Sequence, residues 1–581
     1  MSLFTFVQIR VFPFLQRHLF FLQLSLTLIG LSWIFILPRN EIIDRLHVSE
    51  SALLPGQVNT YFENRYSKTV SSSLTAANTW SHLDASVGTN TMYDDLEQIF
   101  TAMGLPTQKQ NYSINIPGSE FNGSNFITTL RAPRGDATES LLLCVPWKDH
   151  IGQYNEAGVA LAISLLKYFQ GWSLWSKDII LVIFDDPVYG PSSFLTSYFD
   201  QTTPYISYTP LKIRSGSIQA GLSLELVTTE NNSDVLEVLY QATNGQLPNL
   251  DLFNTISRIF MQHFNYPLRL QGYDFHANSG SSYTSRLKSL WMGMLTQAVS
   301  NVTSAHALFP QYRIDMLTLR MKVKDPFSFD MFRFGQAIES TFRSLNNLLE
   351  HLHQSFFFYF ILDHLHFISI GNYMPSILIL AASFMLGAYR HWINHEKKID
   401  LWRPFSFWLF SIFCTIAAYY LVSSSTKITV FIFLYLMLTF IGIIFSTFMT
   451  SEDAELVLSY DLMSKSLFIS VVSTLNFSLS FVVAILLVPL QFISFRFNRR
   501  LSLLFAVLTY FSTFIFLCSL SKILNGPLVP FWLWAKEYEL FNSWLMPSVF
   551  MILVLPEIIF SVTSFFSLWN EPSVKTKTKT L

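Results

Sequence analysis

Apolar residues are distributed along this chain in two ways. Between about 40 and 355 they form short clusters broken by polar and charged residues. Outside that stretch they form runs long enough to cross a bilayer. The first long run is Leu19–Leu37, sufficient for a hydrocarbon core of roughly 30 Å. Arg10 and Arg17 precede it with no acidic residue among them, while Arg39, Glu41, Asp44 and Arg45 follow. The positive excess predicts a cytosolic N-terminus. Ile36, Leu37, Pro38 and Arg39 offer no small-residue cleavage site, so the run reads as an uncleaved signal anchor. Six further runs lie at about 373–389, 405–422, 428–449, 467–490, 501–521 and 544–568. A weaker run, Phe356–Ile370, carries Asp363, His364 and His366. It predicts an interfacial helix or a short extra span.

The intervening stretch alternates strand and helix patterns. Ser140–Val145 and Asp178–Phe184 are short β-rich apolar runs, as expected for strands buried on both faces. Glu156–Phe169 between them has helical spacing at Val159, Ala162, Ile163, Leu166 and Phe169. Gln219–Val227 reads as a third strand. Strand–helix–strand repetition predicts a mostly parallel sheet flanked by helices. From about Asp330 a long helix is expected, with Phe334, Ile338, Phe342, Leu345, Leu349 and Leu352 on one stripe, leading back toward the bilayer. The fold class is therefore an α/β domain plus a polytopic α-helical membrane domain. The expected divisions are a cytosolic segment 1–18, an anchor 19–37, a lumenal domain 38–355, a membrane domain 356–569 of six or seven spans, and a tail 570–581.

Composition agrees with this division. Of 581 residues 51% are hydrophobic and 13% charged, against roughly 25% charged in soluble domains. The net charge of -1 and the lack of a basic patch interleaved with aromatics argue against nucleic-acid binding. Cys144, Cys414 and Cys518 are too few and too far apart for a disulfide framework or a zinc knuckle. Cys144 sits in the apolar run Leu141–Val145 and is expected to be a buried core thiol. Four Asn-x-Ser/Thr sequons, at Asn111, Asn122, Asn231 and Asn301, all fall in the polar stretch and suit a lumenal domain. The tail places Lys577 and Lys579 fifth and third from the end, matching a di-lysine retrieval signal read in the cytosol. That side requires eight spans rather than seven.

No Gly-x-Ser-x-Gly elbow, Walker loop, paired Cys–His motif or caspase-type Gln-Ala-Cys string is present. The segment LLLCVPWKDHIGQYNEAGVALAISLL at 141–166 resembles the di-zinc aminopeptidase fold. In that family a strand ends in His-x-Asp, a helix opens with Asp-Asn-Ala-Ser-Gly-Val, and the next strand ends in Glu-Glu-x-Gly. Two zinc ions bridged by a carboxylate need imidazole and further carboxylates around them. Here Trp147 stands at the first His and Tyr154 at the bridging Asp, while Asp149, Asn155, Gly158 and Val159 remain. Asp185 and Asp186 replace the acidic pair. Glu225 and His306 are the remaining candidate ligands. The expectation is that no metal is held, and that these carboxylates cap helices, pair with Lys148 or Arg214, or touch a partner. The rival expectation is an active metallopeptidase or peptide-bond-forming enzyme using the residual set. A transporter is disfavoured by the lack of internal repeats.

SIQAGLSLEL (217–226), NGQLPNLDL (244–252), RSLNNLLEHLHQSFFFY (343–359), SIGNYMPS (369–376) and SKDIILVIF (176–184) together resemble the glycosylphosphatidylinositol (GPI) anchor attachment protein family. The one-span, large-domain, many-span layout and the lysine tail agree. The resemblance implies a non-catalytic subunit of GPI transamidase in the endoplasmic-reticulum membrane, with no cofactor. Its implied partners are the GPI lipid, precursor proteins with a C-terminal GPI signal, and other subunits, among them a cysteine-protease-type subunit carrying the catalytic Cys and His. Pro547, Pro556 and Glu557 in the last span are the lipid-binding candidates, because a charge or a proline inside a span marks a polar or helix-packing site.

Overall fold

The computed structural model describes residues 12–570 apart from 55, 57–58, 84, 117–118, 230–232, 271–281, 301, 394–400, 424–427, 494–499 and 512–539. It divides into two compact units, Pro38–Ile370 and Met1–Leu37 with Gly371–Leu581.

The first unit is α/β. Its main sheet has nine strands: β1 Thr107–Ile116, β2 Ser119–Leu130, β3 Glu139–Pro146, β4 Asp178–Phe184, β5 Ile206–Tyr208, β6 Ser217–Thr228, β7 Ser233–Leu239, β8 Leu268–Leu270 and β9 Asp315–Val323. Their order is β5-β1-β2-β4-β3-β6-β9-β7-β8. The centre, β4-β3-β6-β9, is parallel, with Leu143 opposite both Leu181 and Leu222, and Leu319 opposite Leu224. Every residue of β4 is buried, as a strand covered on both faces requires. Its α-helices are α1 Ser67–His82, α2 Ala85–Ala102, α3 Glu156–Gln170, α4 Tyr189–Tyr198, α5 Leu250–Ser257, α6 Tyr283–Val299 and α7 Met331–Asn346, of which α1, α3 and α7 contribute to the main core cluster with Leu141, Leu143, Leu181 and Leu222. Each such side chain adds roughly 1.5–3 kcal/mol by leaving water.

The expected parallel sheet holds at the centre and in the edge pair β7–β8, while the other flanking pairs make the sheet mixed. β1 and β2 form an antiparallel hairpin, β2 joins β4 antiparallel, and β7 joins β9 antiparallel. β1 alternates exposed and buried residues, a pattern typical of antiparallel strands with one wet face. It contains no continuous apolar run to mark it.

Two other expectations are corrected. Helix α7 ends at Asn346, short of the Leu349 and Leu352 expected on its stripe, and Leu349 is 90% exposed. The Asn346 side chain is diverted to accept from Ser176 N (2.9 Å) and Lys177 N (3.2 Å), fixing the entry to β4. Phe356–Ile370 is neither interfacial helix nor span. Tyr359–Ile361 and His366–Ser369 pair antiparallel, and Asp44–Arg45 adds a third strand. Asp363 makes the turn, accepting from Leu365 N (2.8 Å) and contacting His366 Nδ1 (2.9 Å). The α/β unit thus extends to Ile370 rather than 355, and the eight-span count loses the run it relied on.

The second unit is helical: Phe12–Ile36, Ile370–Ile393, Trp402–Ser423, Ile428–Phe448, Ser451–Leu475, Phe477–Leu487, Leu545–Val549 and Pro556–Asn570 are among its helices. Among the described residues four segments are long and apolar enough to cross a membrane: His18–Ile36, Ile370–Ile393, Glu452–Leu475 and Ile552–Trp569. The run expected at 467–490 is not one helix. A capping box of Thr450 and Asp453 starts a helix at Ser451, and Asn476 ends it while capping the next. Gln23, Thr27, Ser383 and Gln491 form a buried hydrogen-bonded set between distant helices, a device that joins helices inside a membrane domain. Cys518, Lys577 and Lys579 lie outside the described residues.

Candidate functional site

The carboxyl ends of β3, β4 and β6 are where an α/β sheet normally places its ligands. Here that edge is bound together by Asn155. Its Nδ2 donates to Pro146 O (2.8 Å) and Leu224 O (2.7 Å), and its Oδ1 accepts from Leu226 N (2.8 Å) and Gly158 N (3.2 Å). One side chain therefore caps α3 and joins it to β3 and β6. A Cβ at Gly158 would lie 2.2 Å from Asn155 Oδ1, so glycine is required for this cap.

Trp147 and Tyr154, standing where the aminopeptidase pattern has His and the bridging Asp, are in ring contact at 5.1 Å. Trp147 also meets Trp80 edge-on and is 1% exposed. An aromatic cluster thus occupies the positions where two ligands would stand. Asp149 is turned into its own loop, its Oδ1 accepting from Ile151 N (2.8 Å) and Gln153 N (2.9 Å). Asp186 likewise accepts from Val188 N (2.8 Å) and Tyr189 N (2.7 Å), fixing the start of helix α4, Tyr189–Tyr198.

Glu225 is fully buried and already spent: Oε2 accepts from Arg320 Nε (2.6 Å) and Oε1 from the Ser304 hydroxyl. His306 is fully buried with both ring nitrogens occupied, Nδ1 facing Thr318 Oγ1 (2.9 Å) and Nε2 facing Gln241 O (3.1 Å). A carbonyl only accepts, so Nε2 carries the proton and Nδ1 receives the Thr318 hydroxyl. Burial, with help from Arg320, pushes the His306 pKa down to about 3, so the ring is neutral. No three of the five candidate residues come together in a set able to hold a metal ion; among the described residues no such His/Cys/Asp/Glu group exists. The expected helix-end role fits Asp186. Arg214 pairs instead with Asp200 (2.5 Å). Asp185 alone remains unspent: no protein hydrogen bond reaches its carboxylate among the described residues, and burial raises its pKa while Lys148 pulls it down. Cys144 is a fully buried thiol whose pKa burial raises.

In the helical unit Glu557 is fully buried and ion-paired with Lys465, which also pairs with Asp461 one turn away. This contact joins Ser451–Leu475 to Pro556–Asn570, so Glu557 is engaged by a helix of its own chain. Pro556 opens the last helix directly after a π-helical turn, Phe550–Val554, and proline suits a first helical position. Pro547 falls within Leu545–Val549. Asn111 and Asn122 are exposed on the β1–β2 hairpin; Asn231 and Asn301 lie outside the described residues.

Arg320 and Lys465 were missed by sequence reasoning. Lys465 is the one cation of its helix, a signal that was available, whereas Arg320 shares its strand with Lys322 and Asp315 and carried no such mark.

The family model described as Gaa1-like, GPI transamidase component, matches residues 122–571. The chain belongs to this family. The GPI transamidase component GAA1 of Saccharomyces cerevisiae is 30% identical over 482 residues, covering 80% of this chain and 74% of its own length. The family expected from SIQAGLSLEL and its companion blocks is the family found. Among solved structures, Fimbriiglobus ruber glutaminyl cyclase covers 49% of this Gaa1-like chain and 97% of its own at 12% identity, with a TM-score of 0.34. A zinc aminopeptidase from Bacillus subtilis covers 39% and 51% at 14% identity, with a TM-score of 0.25.

Proposed function

We propose that this Gaa1-like transamidase component is a non-catalytic, substrate-presenting subunit of the endoplasmic-reticulum membrane. Its α/β unit lies in the lumen and meets the subunit that carries the catalytic Cys and His. Its helices hold the GPI lipid near the precursor's C-terminal signal. The observation behind the non-catalytic reading is the state of Glu225 and His306. Every oxygen and nitrogen they could offer a metal or a substrate already has a protein partner. Building a metal or acid–base site there would require breaking those partnerships inside a buried core, where unpaired polar groups are costly. Pro547 and Pro556 remain the lipid-side candidates in this reading. Glu557 serves it indirectly, by fixing the last helix against Lys465.

The test uses the assembled transamidase purified from membranes. Asp149→Ala and Asp185→Asn should leave transamidation within about twofold of wild type, and a chelator should not release stoichiometric zinc from this chain. Turnover by the chain alone, or one bound metal lost with Asp149→Ala, would overturn the reading. Protection of Lys577 and Lys579 from protease in sealed microsomes would place the tail in the lumen and remove the retrieval role.

A further inference from the structure

A cleft of about 660 Å³ opens beside Asp185, within the usual range of roughly 300–1,000 Å³ for small-ligand sites. Its lining is amide, hydroxyl and phenol, as at Asn90, Tyr112, Ser113 and Tyr208, with one charge of each sign, Lys148 and Asp185. Asp185 faces it with no hydrogen bond from the protein among the described residues. An apolar ligand would gain little from such walls. Some of these groups already serve the protein, as where Tyr208 donates to Gln201 O at 2.8 Å, but a molecule carrying many hydroxyls and an amide would still find polar walls and, at Asp185, an acceptor for paired hydroxyls.

Two sequons line the same cleft. The hairpin register interlocks them: Asn111 stands opposite Ser124 and Ser113 opposite Asn122, so each asparagine faces the other sequon's hydroxyl. Asn111 Oδ1 accepts from Ser124 Oγ at 2.8 Å. Diagonal neighbours across such a pair are about 7–8 Å apart, so a sugar on either asparagine starts at the mouth of the one cleft.

We propose that this cleft is a carbohydrate seat, filled in cis by the N-linked sugar of Asn111 or Asn122. The modification is ordinary glycosyl transfer. The asparagine amide nitrogen loses a proton and takes the oligosaccharide from a lipid-linked diphosphate donor, whose lipid diphosphate departs. The first sugars then cover Asp185 and Lys148. The cis filling rests on the lumenal placement proposed above; the carbohydrate character of the cleft does not.

The full chain, purified in detergent from a eukaryotic host, allows both parts to be tested. Glycopeptide mapping should find sugar at Asn111 or Asn122. Acylation of Lys148 by an amine reagent should rise at least threefold in the Asn111→Gln/Asn122→Gln double variant. N,N′-diacetylchitobiose added to that variant should restore protection, and Asp185→Asn should abolish the restoration. If both sequons are bare in the wild type but the disaccharide protects Lys148, the seat stands and is filled from another molecule. Sugar at Asn231 or Asn301 only, with Lys148 indifferent to the disaccharide, would overturn the seat while leaving the lumenal placement intact. All four sequons bare would overturn the placement and the cis filling together.

Discussion

Glu225 and Glu557 are both fully buried and both answered by a basic side chain, one in each unit of the molecule. Their settings differ. Glu225 meets one guanidinium and one hydroxyl between neighbouring strands, where Arg320 lies opposite it in the ladder. Glu557 shares a single ammonium with Asp461 among apolar helices. The first arrangement sets one guanidinium across from a fully buried carboxylate, with the half-buried Glu237 on the strand at its other side. The second joins two helices at a place where water is scarce, and one cation serves two anions. A buried pair stabilises less than its geometry suggests, because both ions must be dehydrated, but removing one partner is severe. The contrast is therefore best probed by removing the cation from each.

The largest expected effect is at Lys465. Lys465→Ala leaves two carboxylates buried without a counter-charge, and should cost about 3–5 kcal/mol or more. Loss of a monodisperse peak in detergent and a fall in melting temperature would register it, with Lys465→Arg losing less. An unchanged melting curve would break the comparison. Arg320→Ala should cost about 3 kcal/mol, because one carboxylate is orphaned and Ser304 still donates to it. The double variant Arg320→Met/Glu225→Leu should return most of that loss. If it does not, the pair has a role beyond mutual neutralisation.

The smallest effect concerns a buried carboxylate held by a backbone N–H instead of a cation: Asp315 accepts from Asn249 N (2.7 Å), and burial raises its pKa to about 7. The folded state holds this proton more tightly than the unfolded chain. Its contribution is therefore fully present below about pH 4, falls as pH rises toward 7, and stays lost above that. Asp315→Asn keeps an acceptor and removes the charge. It should stabilise the protein by about 1–2 kcal/mol at pH 8 and flatten its melting temperature between pH 4 and 7 relative to wild type.

The sequence revealed the parts of the fold that leave strong periodic signals. Asp178–Phe184 and Glu156–Gln170 fall where their apolar patterns put them, because each is covered on nearly every side. The β1–β2 hairpin was illegible because half its residues face water. Phe356–Ile370 was misread because apolar content does not distinguish a span from a buried hairpin when the turn is made by one aspartate. Ser451–Leu475 was displaced because Asp461 and Lys465 depress its hydropathy, although they pair within it. At the candidate site the residue types were visible and their engagements were not: that Glu225 belongs to Arg320, and His306 to Thr318 and Gln241, depends on strand neighbours far apart in sequence.

The helical unit is built from two stretches with the whole α/β unit spliced between them, which has a bearing on synthesis. Gln23 and the residue it finally bonds, Gln491, are 468 positions apart. At an elongation rate of roughly 5–20 residues per second, the first helix waits on the order of 25–95 s for that partner. During the delay it must remain in the bilayer with its amide exposed to lipid or held by another protein. Assembly is thus gated by translation, and a chain stalled before Gln491 would present Gln23 as an open handle for membrane quality control.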